Sequence, residues 1–181
     1  MGHRLGNLLT EGDVIALIGE LGSGKTCFTK GLALGMGVGP DTVVTSPSFA
    51  IVNEYPGDRL FYHMDLYRLE GPSDILSAGL EEYFDGGGVV VVEWADRWPG
   101  ILPEGCIEVR FKIVDDQRRE LLFYGAHLRA VRILTKLHAE QDMPQPDNNP
   151  PVLCGGGLIF NMMHAEDILC RLLYRSTGAP R

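Results

Sequence analysis

An α/β fold, with a mainly parallel or mixed central sheet flanked by helices, is predicted by two features of the sequence. Residues 14–18 and 89–92 are uninterrupted apolar runs, the pattern of strands buried on both faces of a parallel sheet. Between the first run and a segment with helical apolar spacing (Phe28, Leu32, Leu34) lies Gly19-Glu20-Leu21-Gly22-Ser23-Gly24-Lys25-Thr26. That string satisfies G-x-x-x-x-G-K-[ST], the phosphate-binding loop. Strand, glycine turn and helix in this order narrow the class to a single P-loop NTPase domain. The glycines let backbone wrap closely around an anion. The loop's N–H groups and the helix N-terminus then face phosphate oxygens. In such loops the lysine, here Lys25, neutralises the β- and γ-phosphates and the Thr26 hydroxyl ligates Mg²⁺.

The rest of the chain fits around that unit. Residues 1–12 are weakly patterned, with Leu5, Leu8 and Leu9 as apolar positions, and Glu11-Gly12-Asp13 turns into the first strand. After the first helix, which ends near Gly35 and Gly37, comes Thr42-Val43-Val44-Thr45-Ser46-Pro47-Ser48-Phe49. Four hydroxyls there suit a loop that senses a γ-phosphate. A polar turn whose hydroxyls cap local backbone fits the same residues. Residues 51–55 and 60–64 flank Pro56-Gly57-Asp58-Arg59 and read as a hairpin. Its second arm delivers Asp65, a candidate Mg²⁺ acid, with Arg68 available to an acid or a phosphate. A surface ion pair is the competing reading. Ser73 is the expected N-cap of a helix that carries Ile75, Leu76, Leu80, Tyr83 and Phe84 and stops at Asp85-Gly86-Gly87-Gly88.

The valine run at 89–92 places Glu93 at a strand's carboxyl end, followed by Trp94. Ligands of open parallel sheets sit beyond those ends, so the loop, Asp65 and Glu93 can share one crevice. A carboxylate there can orient water or accept its proton. The alternative is a helix cap or solvated turn acid. Residues 107–113 alternate apolar and charged, 120–124 return as a strand, and 126–137 read as a helix. Residues 141–151 form a Pro/Asn/Asp-rich linker, and Ile168, Leu169, Leu172 and Leu173 share a helical face. The expected organisation is a P-loop ATPase domain over 1–137, then a linker and C-terminal extension over 138–181.

Composition sets outer bounds. A net charge of −8 argues against a broad basic surface, so any role in RNA metabolism runs through partners, with no DNA and no membrane among them. The four cysteines (Cys27, Cys106, Cys154, Cys170) form no C-x-x-C pair, and Cys154, His164 and Cys170 lack zinc spacing. No basic-then-apolar leader and no bilayer-length apolar run is present, so a reduced cytoplasmic setting is the expectation.

Four blocks in order, GELGSGKT, TSPSFAIVNEY, HMDLYRL and GLEEYF followed by VVVVEWADR, make residues 11–124 resemble the TsaE (YjeE) family, the small ATPase of bacterial tRNA threonylcarbamoyladenosine synthesis. The resemblance implies a compact P-loop fold that binds ATP and Mg²⁺. It also implies association with TsaB and TsaD proteins, an assembly its ATPase cycle would reset between rounds of tRNA modification. Residues carried over as nucleotide-binding are Gly19, Glu20, Leu21, Gly22, Ser23, Gly24, Lys25, Thr26, Cys27, Ser46 and Ser48. Lys25, Glu93 and Trp94 are carried over as catalytic, and Thr26, Asp65 and Glu93 as metal-binding. The sequence departs from the family at Glu20 (usually Asp), Cys27 (commonly Thr) and Ser48 (usually Thr). The start is shorter than usual, with the helix before the first strand expected to be nearly absent. Two other functions share the loop: a small-molecule or nucleotide kinase with Asp65 or Glu93 as base, and a nucleotide-gated scaffold without hydrolysis. No N-K-x-D guanine motif supports a GTPase.

Overall fold

The computed structural model describes residues 1–139 and the backbone of residues 152–154 and 157–162. Its elements, in chain order, are α1 (Gly2–Leu8), β1 (Val14–Ile18), α2 (Lys25–Gly35), β2 (Val52–Tyr55), β3 (Phe61–Asp65), α3 (Pro72–Ala78), α4 (Glu81–Asp85), β4 (Val89–Glu93), β5 (Ile107–Ile113), β6 (Arg119–Gly125) and α5 (Leu128–Ala139). Backbone at Val152–Cys154 (β7) and Gly157–Met162 (β8) continues the sheet, β8 running antiparallel to β6. The order is β2-β3-β4-β1-β5-β6-β8-β7. β3, β4, β1 and β5 run parallel, while β2 and β6 pair antiparallel at the flanks, so the sheet is mixed.

Alternation explains why the two apolar runs lie in the centre. Ile15, Leu17, Val89 and Val91 pack into one core with Phe28 and Leu32 of α2 and with Ile133 and Leu134 of α5. Val14, Ala16, Val90 and Val92 pack into the other with Ile75 of α3 and Leu80. A strand residue points to the opposite face from its neighbours, so four valines in a row require cover on both sides. Each such burial contributes about 1.5–3 kcal/mol. The hydrophobic side chain of Phe28 anchors α2, with its ring edge-on to Phe111 at 5.5 Å between centroids.

Three local expectations are corrected. The start, read as nearly lacking its helix, forms the two-turn α1, with Leu5 and Leu9 fully buried. Gly2 and Gly6 of α1 face Gly31 and Gly35 of α2 so closely that a Cβ on Gly35 would stand 2.2 Å from the His3 carbonyl oxygen. Backbone contact at that range, together with the two leucines, holds a helix that glycine propensity disfavours. The helix expected from Ser73 onward starts at Pro72 with Gly71 as N-cap. Asp74 there accepts the backbone N–H groups of Glu70 (2.8 Å) and Gly71 (3.2 Å). It is also two helices, because Gly79 adopts φ +59, a left-handed stop. The expected linker at 141–151 and helical face at 168–173 lie outside the described residues.

Candidate functional site

The loop at 19–26 leaves β1, the central parallel strand, and runs into α2. Gly22 (φ +76) and Gly24 (φ +105) take conformations closed to residues with side chains at little cost. Gly24 is the N-cap of α2, so the first free N–H groups of the helix open onto the loop. Glu20 and Leu21 are exposed at the loop's outer edge, while Ser23 is buried and its Oγ has no hydrogen-bond partner. An orphaned buried hydroxyl inside the loop suits a polar ligand that the protein itself does not supply.

Lys25 is folded over this loop. Its Nζ donates to the carbonyl oxygens of Gly19 (2.7 Å) and Glu20 (2.9 Å) and lies 3.6 Å from the centroid of the Trp94 ring. Trp94 holds that position from a left-handed backbone (φ 59) one residue past β4. Burial pushes the Lys25 ammonium below its usual range, partly offset by the negative charges of Glu93, Asp65 and Asp96.

The carboxylates come from neighbouring strand ends. Asp65 and Glu93 are register partners in parallel β3 and β4, so both leave the sheet on the same face and at the same edge. Glu93, 2% exposed, accepts from the Thr26 hydroxyl at 3.0 Å through Oε2. The Thr26 proton is used on Glu93, so its oxygen lone pairs stay free for a cation. Asp65 accepts the backbone N–H of Tyr67 at 2.9 Å, and the Ser46 hydroxyl donates to its other oxygen. Thus the loop, Lys25, Thr26, Trp94 and Glu93 stand together, with Asp65 and Ser46 beside them.

Ser48, Arg68 and Cys27 are placed apart from that group. Ser48 begins the turn that ends at Ile51, where a β-branched residue sits at φ 68 and donates its N–H to the Pro47 carbonyl (2.6 Å). That backbone stores about 1–3 kcal/mol of strain. The Ile51 carbonyl accepts the Asp65 N–H (3.0 Å), which ties the strained turn to the metal-candidate acid. Arg68 reaches the ring of exposed Phe49, 4.1 Å from its centroid. Cys27 is a partly buried thiol in the first turn of α2.

Two side chains with no sequence-assigned role also touch Glu93. His63 Nε2 lies 2.8 Å and Thr29 Oγ1 3.4 Å from Glu93 Oε1. Parity was the available signal for His63: it stands two residues before Asp65 on the same strand, hence on the same face. Among the described residues, no three His, Cys, Asp or Glu side chains group to hold a metal by themselves. A hydroxyl and two carboxylates instead match Mg²⁺, which keeps water and substrate phosphates as most of its ligands.

A glycine loop cradling the start of α2, with a lysine and strand-end carboxylates beside it, defines a P-loop NTPase-like, nucleotide-binding protein. Comparison with known proteins makes this more specific. The family model for threonylcarbamoyl adenosine biosynthesis protein TsaE matches residues 1–121. The tRNA threonylcarbamoyladenosine biosynthesis protein TsaE of Treponema pallidum is 42% identical over 120 residues, covering 66% of this chain and 87% of that protein. Its Bacillus subtilis counterpart is 47% identical over 113 residues, covering 62% and 69%. The crystal structure of YdiB from Bacillus subtilis superposes with a TM-score of 0.64 at 34% identity, covering 77% of this chain and 86% of that one. The chain belongs to the TsaE family.

Proposed function

We propose that this protein binds and hydrolyses ATP with Mg²⁺ and acts on a TsaB–TsaD assembly in tRNA threonylcarbamoyladenosine synthesis. Related proteins of Treponema pallidum and Bacillus subtilis carry names from that biosynthesis, which supports the pathway. The single observation that carries the chemistry is Glu93, a buried carboxylate hydrogen-bonded to the P-loop threonine, with Lys25 beside it. In this reading the 19–27 backbone and Lys25 bind the triphosphate, and Lys25 leaves its resting carbonyls for phosphate oxygens. Thr26, Asp65 and Glu93 would hold Mg²⁺, which when bound neutralises phosphate charge. Glu93 orients the attacking water and takes its proton. Trp94 keeps Lys25 aimed at the loop, and Ser46, held by Asp65, reports the γ-phosphate, with Ser48 in the same segment.

No helix among the described residues is long and apolar enough to cross a membrane. A cytoplasmic location, and contact with tRNA only through the assembly, complete the proposal. The organisation proposed is an ATPase domain through about residue 137, with the remainder as an extension. The test is ATP hydrolysis by the chain alone and with TsaB and TsaD from the same source. Slow turnover alone, accelerated in a complex, is expected. Neither complex nor stimulated hydrolysis overturns the partner assignment, and phosphoryl transfer to sugars or nucleosides faster than hydrolysis overturns the ATPase in favour of a kinase.

A further inference from the structure

We propose that His63 is a positioning residue for Glu93: it grips Oε1 so that Oε2 stays presented to Thr26 and the phosphate loop. The inference rests on the hydrolytic reading of Glu93 and extends it to a residue behind the site. His63 is fully buried on β3, opposite Val91 in the register, which makes Glu93 its diagonal neighbour on the same face of the sheet. Its Nε2 stands 2.8 Å from Glu93 Oε1, while its Nδ1 is buried with no hydrogen-bond partner. A histidine kept only for packing ordinarily has its buried nitrogens satisfied. Here one nitrogen is left bare and the other is committed to the carboxylate. Glu93 as a carboxylate can only accept, so the bond requires the proton on Nε2.

A glutamate's last torsion is soft, and one hydrogen bond from Thr26 leaves the carboxylate plane free to rotate. A second bond to the other oxygen fixes it, as outer partners fix the ligands of reactive centres. Phe61 holds the donor in turn, its ring stacked on the imidazole at 6.2 Å between centroids and 9° between planes. Thr29 is the weaker second contact, because its one proton points to the Lys25 carbonyl at 3.1 Å, closer than Glu93 Oε1 at 3.4 Å.

The experiment compares the full chain with His63→Phe, His63→Gln and Glu93→Gln in ATP turnover and in binding of a fluorescent ATP analogue. His63→Phe fills the space without a donor, and should lower kcat by about 10–100-fold, the usual cost of losing such an outer partner, with KM and affinity nearly unchanged. His63→Gln, whose amide can donate, should recover most of that loss. Unchanged kcat in His63→Phe beside an inactive Glu93→Gln overturns the role of His63 alone. Full activity in Glu93→Gln instead overturns the hydrolytic reading on which it rests. Equal losses in both His63 variants, with affinity falling in step, mark a packing role and also overturn the proposal. Nitrogen-edited NMR of the unmodified chain makes the test independent of variant folding: Nε2 of His63 should carry a slowly exchanging proton. A proton on Nδ1 with bare Nε2 contradicts the proposal.

Discussion

Replacing Thr26 by Val removes one hydroxyl and keeps the shape, which isolates the bond between the phosphate loop and Glu93. The bond is 3.0 Å long and ends on a carboxylate that is 2% exposed. Hydrogen bonds to charged groups contribute about 1.5–3 kcal/mol net, and a buried acceptor left without its partner loses that full amount. The cost in Thr26→Val is therefore about 1.5–3 kcal/mol, moderated by the nearby Lys25 charge. In a Glu93→Gln background no carboxylate is stranded, and the same replacement should cost only about 0.5–1 kcal/mol. The expected coupling is then about 1–2 kcal/mol, which at this chain length corresponds to a Tm difference of about 2–8 °C. Urea unfolding of the four proteins without nucleotide measures it, so the result does not depend on activity. Coupling below about 0.5 kcal/mol, the level at which independent sites simply add, would refute the bond as an energetic link between loop and acid.

Two further outcomes follow from other parts of the fold. Lys25 titrates below the usual lysine range because burial disfavours its charge, so between that lowered value and 10.5 the folded chain binds fewer protons than the unfolded one. Phosphates favour the charged form, so affinity for an ATP analogue should fall as pH rises through this window; a flat profile up to pH about 10 contradicts the burial of Lys25. Gly35→Ala places a methyl 2.2 Å from the His3 carbonyl oxygen, which forces α1 and α2 apart. Thermal unfolding should show a loss of about 1–3 kcal/mol, the usual cost of overpacking, and an unchanged Tm would mean that α1 does not seat on α2.

Much of the architecture is legible where one pattern dominates. β1 and β5 begin and end where the apolar run and the alternating run do, because a buried strand needs both faces apolar and a half-buried one needs every second residue. Strand-end logic also brings Asp65 and Glu93 to one edge of the sheet, since parallel neighbours share their carboxyl ends. α1 is not legible, because its glycines argue against a helix locally and become an asset only against the glycines of α2. The break at Gly79 is hidden for a similar reason: apolar residues continue at helical spacing across it, while the backbone turns left-handed. At the site, motif and spacing name Lys25 and Thr26, yet they do not show that Lys25 rests on its own loop carbonyls under Trp94. Nor do they single out His63, whose contact with Glu93 requires the register between β3 and β4.

In the proposed function the phosphate cradle binds nucleotide and Glu93 turns it over. The most direct test is single-turnover ATP hydrolysis by Glu93→Gln at saturating nucleotide, with binding measured on the same sample. Affinity within about threefold of the unmodified chain is expected, with hydrolysis slower by about 100-fold or more. Hydrolysis at the unmodified rate, with nucleotide still bound, would contradict it.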